Sequence, residues 1–74
     1  MSHSEFRSLL AELWIKELEV AELEEDQTFF DLGGTSRGAV SVADELQTKA
    51  AVELSLADLA HQTFEEIVDQ YSAA

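Results

Sequence analysis

The chain has 74 residues and contains no cysteine, no proline and only three glycines, two of them adjacent. Without cysteine it can form no disulfide, offer no thiolate nucleophile and ligate no metal through sulfur, so a reducing compartment suits it. Without proline, and with so little glycine, few positions interrupt a helix. Cations are scarce too: four Lys+Arg stand against sixteen Asp+Glu, a formal net charge of −12 at pH 7. A phosphate backbone is gripped mainly by Lys and Arg, so this balance argues against nucleic-acid binding. It argues equally against a basic amphipathic helix lying on an anionic membrane. Partners with positive patches are the expected kind. No apolar run approaches a membrane span, and Met1-Ser2-His3-Ser4-Glu5 has neither the basic start nor the apolar stretch of a secretory signal. The expected location is cytoplasmic.

What is present favours a folded chain. Apolar residues make up 46% of it, too many for a disordered acidic tail. A chain of this length hides only about 60–65% of its unfolded surface, enough for one core and no second. Its stability is expected to be on the order of 4–11 kcal/mol. Residues 1–74 are therefore expected to form one domain.

The apolar spacing is helical. Between Ser4 and Leu18, Phe6, Leu9, Leu10, Leu13, Trp14 and Leu18 fall on one helix face, and Ser2 with Glu5 fits a capping box at its start. Ala39, Val42, Ala43, Leu46 and Ala50 mark a second helix beginning at Ser36. Phe64, Ile67, Val68 and Tyr71 mark a last one, with Thr63 and Glu66 as its capping box. Between these, Ser55 and Asp58 can cap one or two turns around Leu54–Leu59. The expected fold is all-α, a small four-helix bundle of three main helices and one short one. The connection from about Glu19 to Thr35 is long, and such loops tend to be functional. Its Val20, Leu23, Phe29, Phe30 and Leu32 are expected to tuck into the bundle, with Thr28 and Asp31 capping a single turn.

Within that loop, Phe29-Phe30-Asp31-Leu32-Gly33-Gly34-Thr35-Ser36 carries special backbone chemistry. Two glycines open backbone angles closed to other residues and leave no side chain to shield the residues after them. Ser36 then stands at a helix start, where free N–H groups and the helix dipole favour negative charge. A phosphodiester on that serine would be well placed. Taken alone, Gly-Gly-x-Ser also serves simply to end a loop and cap a helix.

The longer string Asp26-Gln27-Thr28-Phe29-Phe30-Asp31-Leu32-Gly33-Gly34-Thr35-Ser36 resembles the phosphopantetheine attachment site of thiolation carrier domains, in particular the peptidyl carrier proteins of nonribosomal peptide synthesis. Leu13-Trp14, Val52-Glu53-Leu54-Ser55-Leu56 and Thr63 extend the resemblance over nearly the whole chain. It implies a carrier of the acyl-carrier-like fold and not a catalyst. Ser36 would bear 4'-phosphopantetheine, set in an attachment loop of Gly33, Gly34 and Thr35. A separate phosphopantetheinyl transferase would bring coenzyme A, metal and base. The arm's thiol would hold an aminoacyl or peptidyl thioester, which accords with a chain that has no cysteine. Expected partners are an adenylation enzyme and condensation, thioesterase or tailoring enzymes of natural-product, including antibiotic, biosynthesis. A monomer is expected. Acyl carriers of the fatty-acid type usually have Asp directly before the serine; here that place is Thr35 and the glycine is doubled, which favours the peptidyl or aryl branch.

The chain departs from the family pattern in three respects. Arg37 stands where Leu or another apolar residue commonly comes after the serine, at a position partner enzymes touch. Gln62-Thr63 stands where a Pro-Thr pair usually precedes the last helix. The net charge is closer to that of free-standing acyl carriers, which, with Met1 and no trailing linker, points to a stand-alone carrier. The second helix's outer side, with Arg37, Val40, Ser41, Asp44 and Gln47, is the candidate docking surface. An acyl or aryl carrier is the nearest alternative. In a different class stands an acidic interaction domain whose Ser36 only caps a helix. His3 and His61 lie too far apart in sequence to suggest a metal pair. The acidic run Glu17, Glu19, Glu22, Glu24, Glu25, Asp26 and Asp31 lacks the alternating ligands and central glycine of a calcium loop. No catalytic residue is expected, since nothing near Ser36 in sequence is a His or Lys that could serve as its base.

Overall fold

A computed structural model describes residues 2–72, and within them four helices run in the order α1 (His3–Leu18), α2 (Ser36–Ala50), α3 (Leu56–His61) and α4 (Phe64–Ser72). The all-α expectation and the helix count hold, with α1 starting one residue early. At its start the Glu5 amide donates to Ser2 Oγ at 3.1 Å and the Ser2 amide to Glu5 Oε1 at 3.3 Å, the expected capping box. His3 is the first residue of α1, with Nε2 3.6 Å from Asp69 Oδ1 on α4. His61 closes α3.

The helices exist because each buries an apolar stripe in a common cluster. Phe6, Leu10, Leu13 and Trp14 come from α1; Ala39, Val42 and Leu46 from α2; Leu59 from α3; Phe64, Ile67 and Val68 from α4. Helix α1 packs against both α2 and α4, whereas α3 lies against α2. Trp14 is fully buried at the centre, T-shaped to Phe29 at 5.4 Å and to Phe64 at 5.3 Å. Every buried residue of this cluster is apolar, so cohesion rests on burial at about 25 cal/mol per Å² and on these ring contacts.

The short α3 is held differently. Ser55 caps it, accepting from the Ala57 amide at 3.1 Å. Asp58, expected as a second cap, instead accepts from the Tyr71 hydroxyl and from Gln70 Nε2, fastening α3 to α4. Tyr71 also receives the Ser55 amide at 3.3 Å. Its partial burial, together with the hydrogen bond it donates to the Asp58 carboxylate, pushes its pKa above the ordinary phenol value.

The long connection is stitched to the start of α4. The Phe64 and Glu65 amides donate to the carbonyls of Gln27 (3.3 Å) and Glu25 (3.2 Å), and Thr28 bridges Thr63 antiparallel. Thr63 Oγ1 and its carbonyl take the next two amides, those of Glu66 and Ile67. With the Thr63 amide donating to Glu66 Oε1 at 2.8 Å, the four orphan donors from Thr63 to Glu66 are all satisfied, two of them by the loop. Arg7 adds a clamp from α1, pairing with Glu25 and lying over the Phe64 ring at 5.3 Å. Most of the expected anchors are in place: Phe29 is buried and Leu23 and Leu32 pack against the core. Phe30 does not, with 37% of its surface exposed. Its ring lies outside Phe29, edge-on to it at 5.8 Å, while Phe29 meets Trp14.

Glycine poverty leaves a mark at the helix ends. Glu19 and Ala51 terminate α1 and α2 in left-handed conformation, at φ 55° and 54°, where glycine is the usual occupant. Replacing the exposed Ala51 by glycine should raise stability by roughly 0.5–1 kcal/mol, since the left-handed strain on Cβ exceeds glycine's added chain entropy. Urea unfolding of A51G against the parent checks this; a lower midpoint would contradict the strain argument.

Candidate functional site

The loop before α2 is built on Phe29. Its ring lies so close beneath Gly34 that a Cβ there would stand 2.4 Å from ring carbons Cδ2 and Cε2 and 2.7 Å from the Phe29 carbonyl oxygen. Gly33 answers a different need: its φ is +94°, with open space around it. The doubled glycine is thus two separate requirements, one conformational and one steric. Gly38, one turn into α2, also faces the ring, with its would-be Cβ 3.3 Å from Phe29 Cζ.

Hydrogen bonds make the loop a compact turn. The Asp31 amide donates to Thr28 Oγ1 at 3.0 Å and the Thr28 amide to Asp31 Oδ2 at 3.3 Å, as the sequence pattern predicts. The amides of Leu32, Gly33 and Gly34 donate to the carbonyls of Thr28, Phe30 and Phe29 at 3.2, 3.0 and 3.0 Å. The segment ends on Thr35 in extended conformation, whose Oγ1 accepts from the Gly38 amide at 3.1 Å and whose carbonyl accepts from Ala39.

Thr35 is therefore the cap of α2. Ser36 is the first residue inside the helix, so the reading of Ser36 as a mere cap is corrected. Thr35 and Ser36 are both good capping residues, and nothing in the sequence separates them; the extended backbone of Thr35 does. Ser36 is exposed, and its hydroxyl has no hydrogen-bond partner among the described residues. The first two amides of α2, on Ser36 and Arg37, likewise find no acceptor there, in contrast to α4. A group attached through a phosphodiester fits this place: the oxygen is free and exposed, and unpaired N–H groups lie at the helix mouth.

Around the serine, Arg37 and Val40 are exposed, Val40 by 45%. Ser41 is only half-buried, and its hydroxyl donates to Glu17 Oε1 at 2.8 Å, so it offers a partner less than its place in the sequence suggests. Glu17, in sequence simply one of an acidic run, has a contact of its own. It reaches from α1 toward the first turn of α2, with Oε2 3.4 Å from where a Gly38 Cβ would lie. No acid stands in that first turn itself, and Glu17 supplies the negative charge from a neighbouring helix. Sequence spacing cannot show such contacts, because Glu17 and Ser41 are 24 positions apart. Among the described residues no group of three or more His, Asp or Glu side chains is arranged to hold a metal ion, and no helix is long and apolar enough to cross a membrane.

Compared with known protein families, residues 8–70 match the one described as "Phosphopantetheine attachment site". The match spans α1 from its second turn almost to the end of α4, with the Phe29–Ser36 loop inside it.

Three substitutions separate the roles within the loop. Thr35→Ala should cost about 1 kcal/mol through loss of the cap. Gly34→Ala should cost roughly 1–3 kcal/mol, because the Phe29 ring must yield to the new methyl. Ser36→Ala should change stability by less than about 0.5 kcal/mol. Chemical unfolding of the three variants reads the order; a Ser36→Ala cost equal to that of Thr35→Ala would restore the capping role to the serine.

Proposed function

This chain belongs to the phosphopantetheine-attachment family, and we propose that it is a peptidyl carrier protein. Domains of this family are carriers and not catalysts, and 4'-phosphopantetheine is attached to them covalently. Such carriers work with phosphopantetheinyl transferases and synthetase enzymes. In our reading residues 1–74 act as one carrier domain, and Ser36 is the attachment residue. Gly33, Gly34 and Thr35 hold it, while Arg37 and Val40, with Ser41 behind them, meet partner enzymes.

The observation that carries the reading is the uncommitted hydroxyl of Ser36. It is exposed, leaves capping to Thr35, and stands on a loop fixed by the buried Phe29. A swinging arm needs a fixed pivot, and a transferase needs an accessible oxygen; this arrangement offers both. When bound, the arm supplies a thiol that holds an acyl group as a thioester. The protein's own residues orient the pivot and present docking surface. Contacts with each partner are weak and fast to dissociate, since a carrier held by one enzyme could not reach the next.

The peptidyl assignment rests on the doubled glycine and on Thr35, where fatty-acid-type carriers have Asp. An acyl carrier is the second reading, favoured by the net charge of −12, and an aryl carrier shares the doubled glycine and threonine with the first. That charge also supports a free-standing carrier meeting dissociated partners of basic surface, with adenylation, condensation, thioesterase or tailoring enzymes as candidates.

Incubation with coenzyme A and a promiscuous phosphopantetheinyl transferase should add one phosphopantetheinyl group, read by intact-mass spectrometry, and Ser36→Ala should gain none. An unmodified parent chain, beside a control carrier that converts, would overturn the carrier reading. Loading of the modified protein by an amino-acid adenylation enzyme, against an acyltransferase given malonyl or fatty-acyl coenzyme A, then decides between peptidyl and acyl cargo.

A further inference from the structure

The chain has four cations, and three are committed within the fold. Arg7 pairs with Glu25, while Lys16 and Lys49 both reach Glu45, at 3.1 and 3.7 Å. Arg37 is the one without an ion pair among the described residues. It is exposed, and it occupies the second position of α2. That is the wrong end of a helix for a cation, because the dipole there favours negative charge and repels positive charge. In the unmodified protein Arg37 therefore stands without a direct ion pair at a helix end whose dipole opposes its charge. An anion held at the helix mouth would give it the partner that the fold does not.

We infer that Arg37 is the charge partner of the arm's phosphodiester, a positioning residue that holds the phosphate at the mouth of α2 and restricts where the arm departs. The inference rests on Ser36 being the attachment residue. Consecutive Cα atoms are about 3.8 Å apart, and helical side chains lean toward the N-terminus, so the long Arg37 side chain has the reach to meet a group that extends from Ser36 Oγ beyond the helix mouth. Arginine suits that role: its planar fork meets phosphate oxygens through two donors at once and stays charged at any working pH. The alternative anion is a carboxylate on a partner enzyme. The chain's charge decides against it, because a carrier of −12 repels acidic surfaces, whereas the phosphate is tethered one residue away and cannot diffuse off.

The test is a cycle between charge and modification. Unmodified and modified protein are prepared for the parent, Arg37→Gln and Arg37→Lys, with intact mass confirming each state before any other measurement. In the unmodified state Arg37→Gln should leave the melting temperature unchanged or slightly raised. In the modified state it should lower it by roughly 2–6 °C at low salt. The difference should shrink near 1 M salt, where the Debye length is about 3 Å. The 31P resonance of the phosphodiester should move in Arg37→Gln and stay near the parent position in Arg37→Lys. Equal effects of Arg37→Gln in both states, with an unmoved 31P resonance, would overturn the inference and leave Arg37 to a partner's carboxylate. A parent chain that gains no mass would instead end the carrier reading, at an earlier and separate step.

Discussion

The seating of Phe29 is the constraint on which the site depends. One buried ring touches Trp14 behind it, underlies Gly34 above it and abuts Gly38 at the start of α2. Three segments are located by it: α1, the loop and the first turn of α2. Gly34 can approach only because it has no Cβ, and Gly33 can turn the chain only because it tolerates positive φ. Thr35 then arrives extended, caps the helix, and leaves the Ser36 hydroxyl free. Each step requires the one before, so the position of a surface oxygen is decided by an aromatic contact in the interior.

The loop is also held from its other end. Helices α1 and α2 cap themselves with Ser2 and Thr35, but α4 takes two of its first four acceptors from the carbonyls of Glu25 and Gln27. The connection is therefore part of α4's hydrogen-bond accounting as well as a link between α1 and α2. Arg7, paired to Glu25 and set over Phe64, ties the same junction to α1. A long loop that would otherwise cost considerable chain entropy is thereby fixed at both ends. The segment nearest the serine is the more rigid for it.

Much of this is legible in the sequence, for identifiable reasons. Periodicity marks the helices, and reciprocal pairs of a hydroxyl and a carboxylate three residues apart mark the capping boxes at Ser2–Glu5, Thr28–Asp31 and Thr63–Glu66, because both signals are local. The string from Phe29 to Ser36 is legible because its glycines and aromatics are needed at adjacent positions. What escapes is non-local or degenerate. Thr35 and Ser36 are chemically equivalent as caps, and only the backbone chooses between them. Phe29 and Phe30 read alike, yet the turn exposes one of them. Asp58 has the spacing of a cap, but Tyr71, thirteen residues on, claims its carboxylate. Glu17 and Gly38 acquire roles solely because α1 and α2 meet where they do.

The single tryptophan sits edge to face with the ring that carries the loop, and its indole N–H is buried with no hydrogen-bond partner among the described residues. Indole emission depends on the polarity around it and on what stacks against it. The protein thus carries an intrinsic optical gauge of its own pivot: if the loop lifted, water would reach Trp14 and its fluorescence would redden. The seating of the loop can be followed in the unlabelled protein.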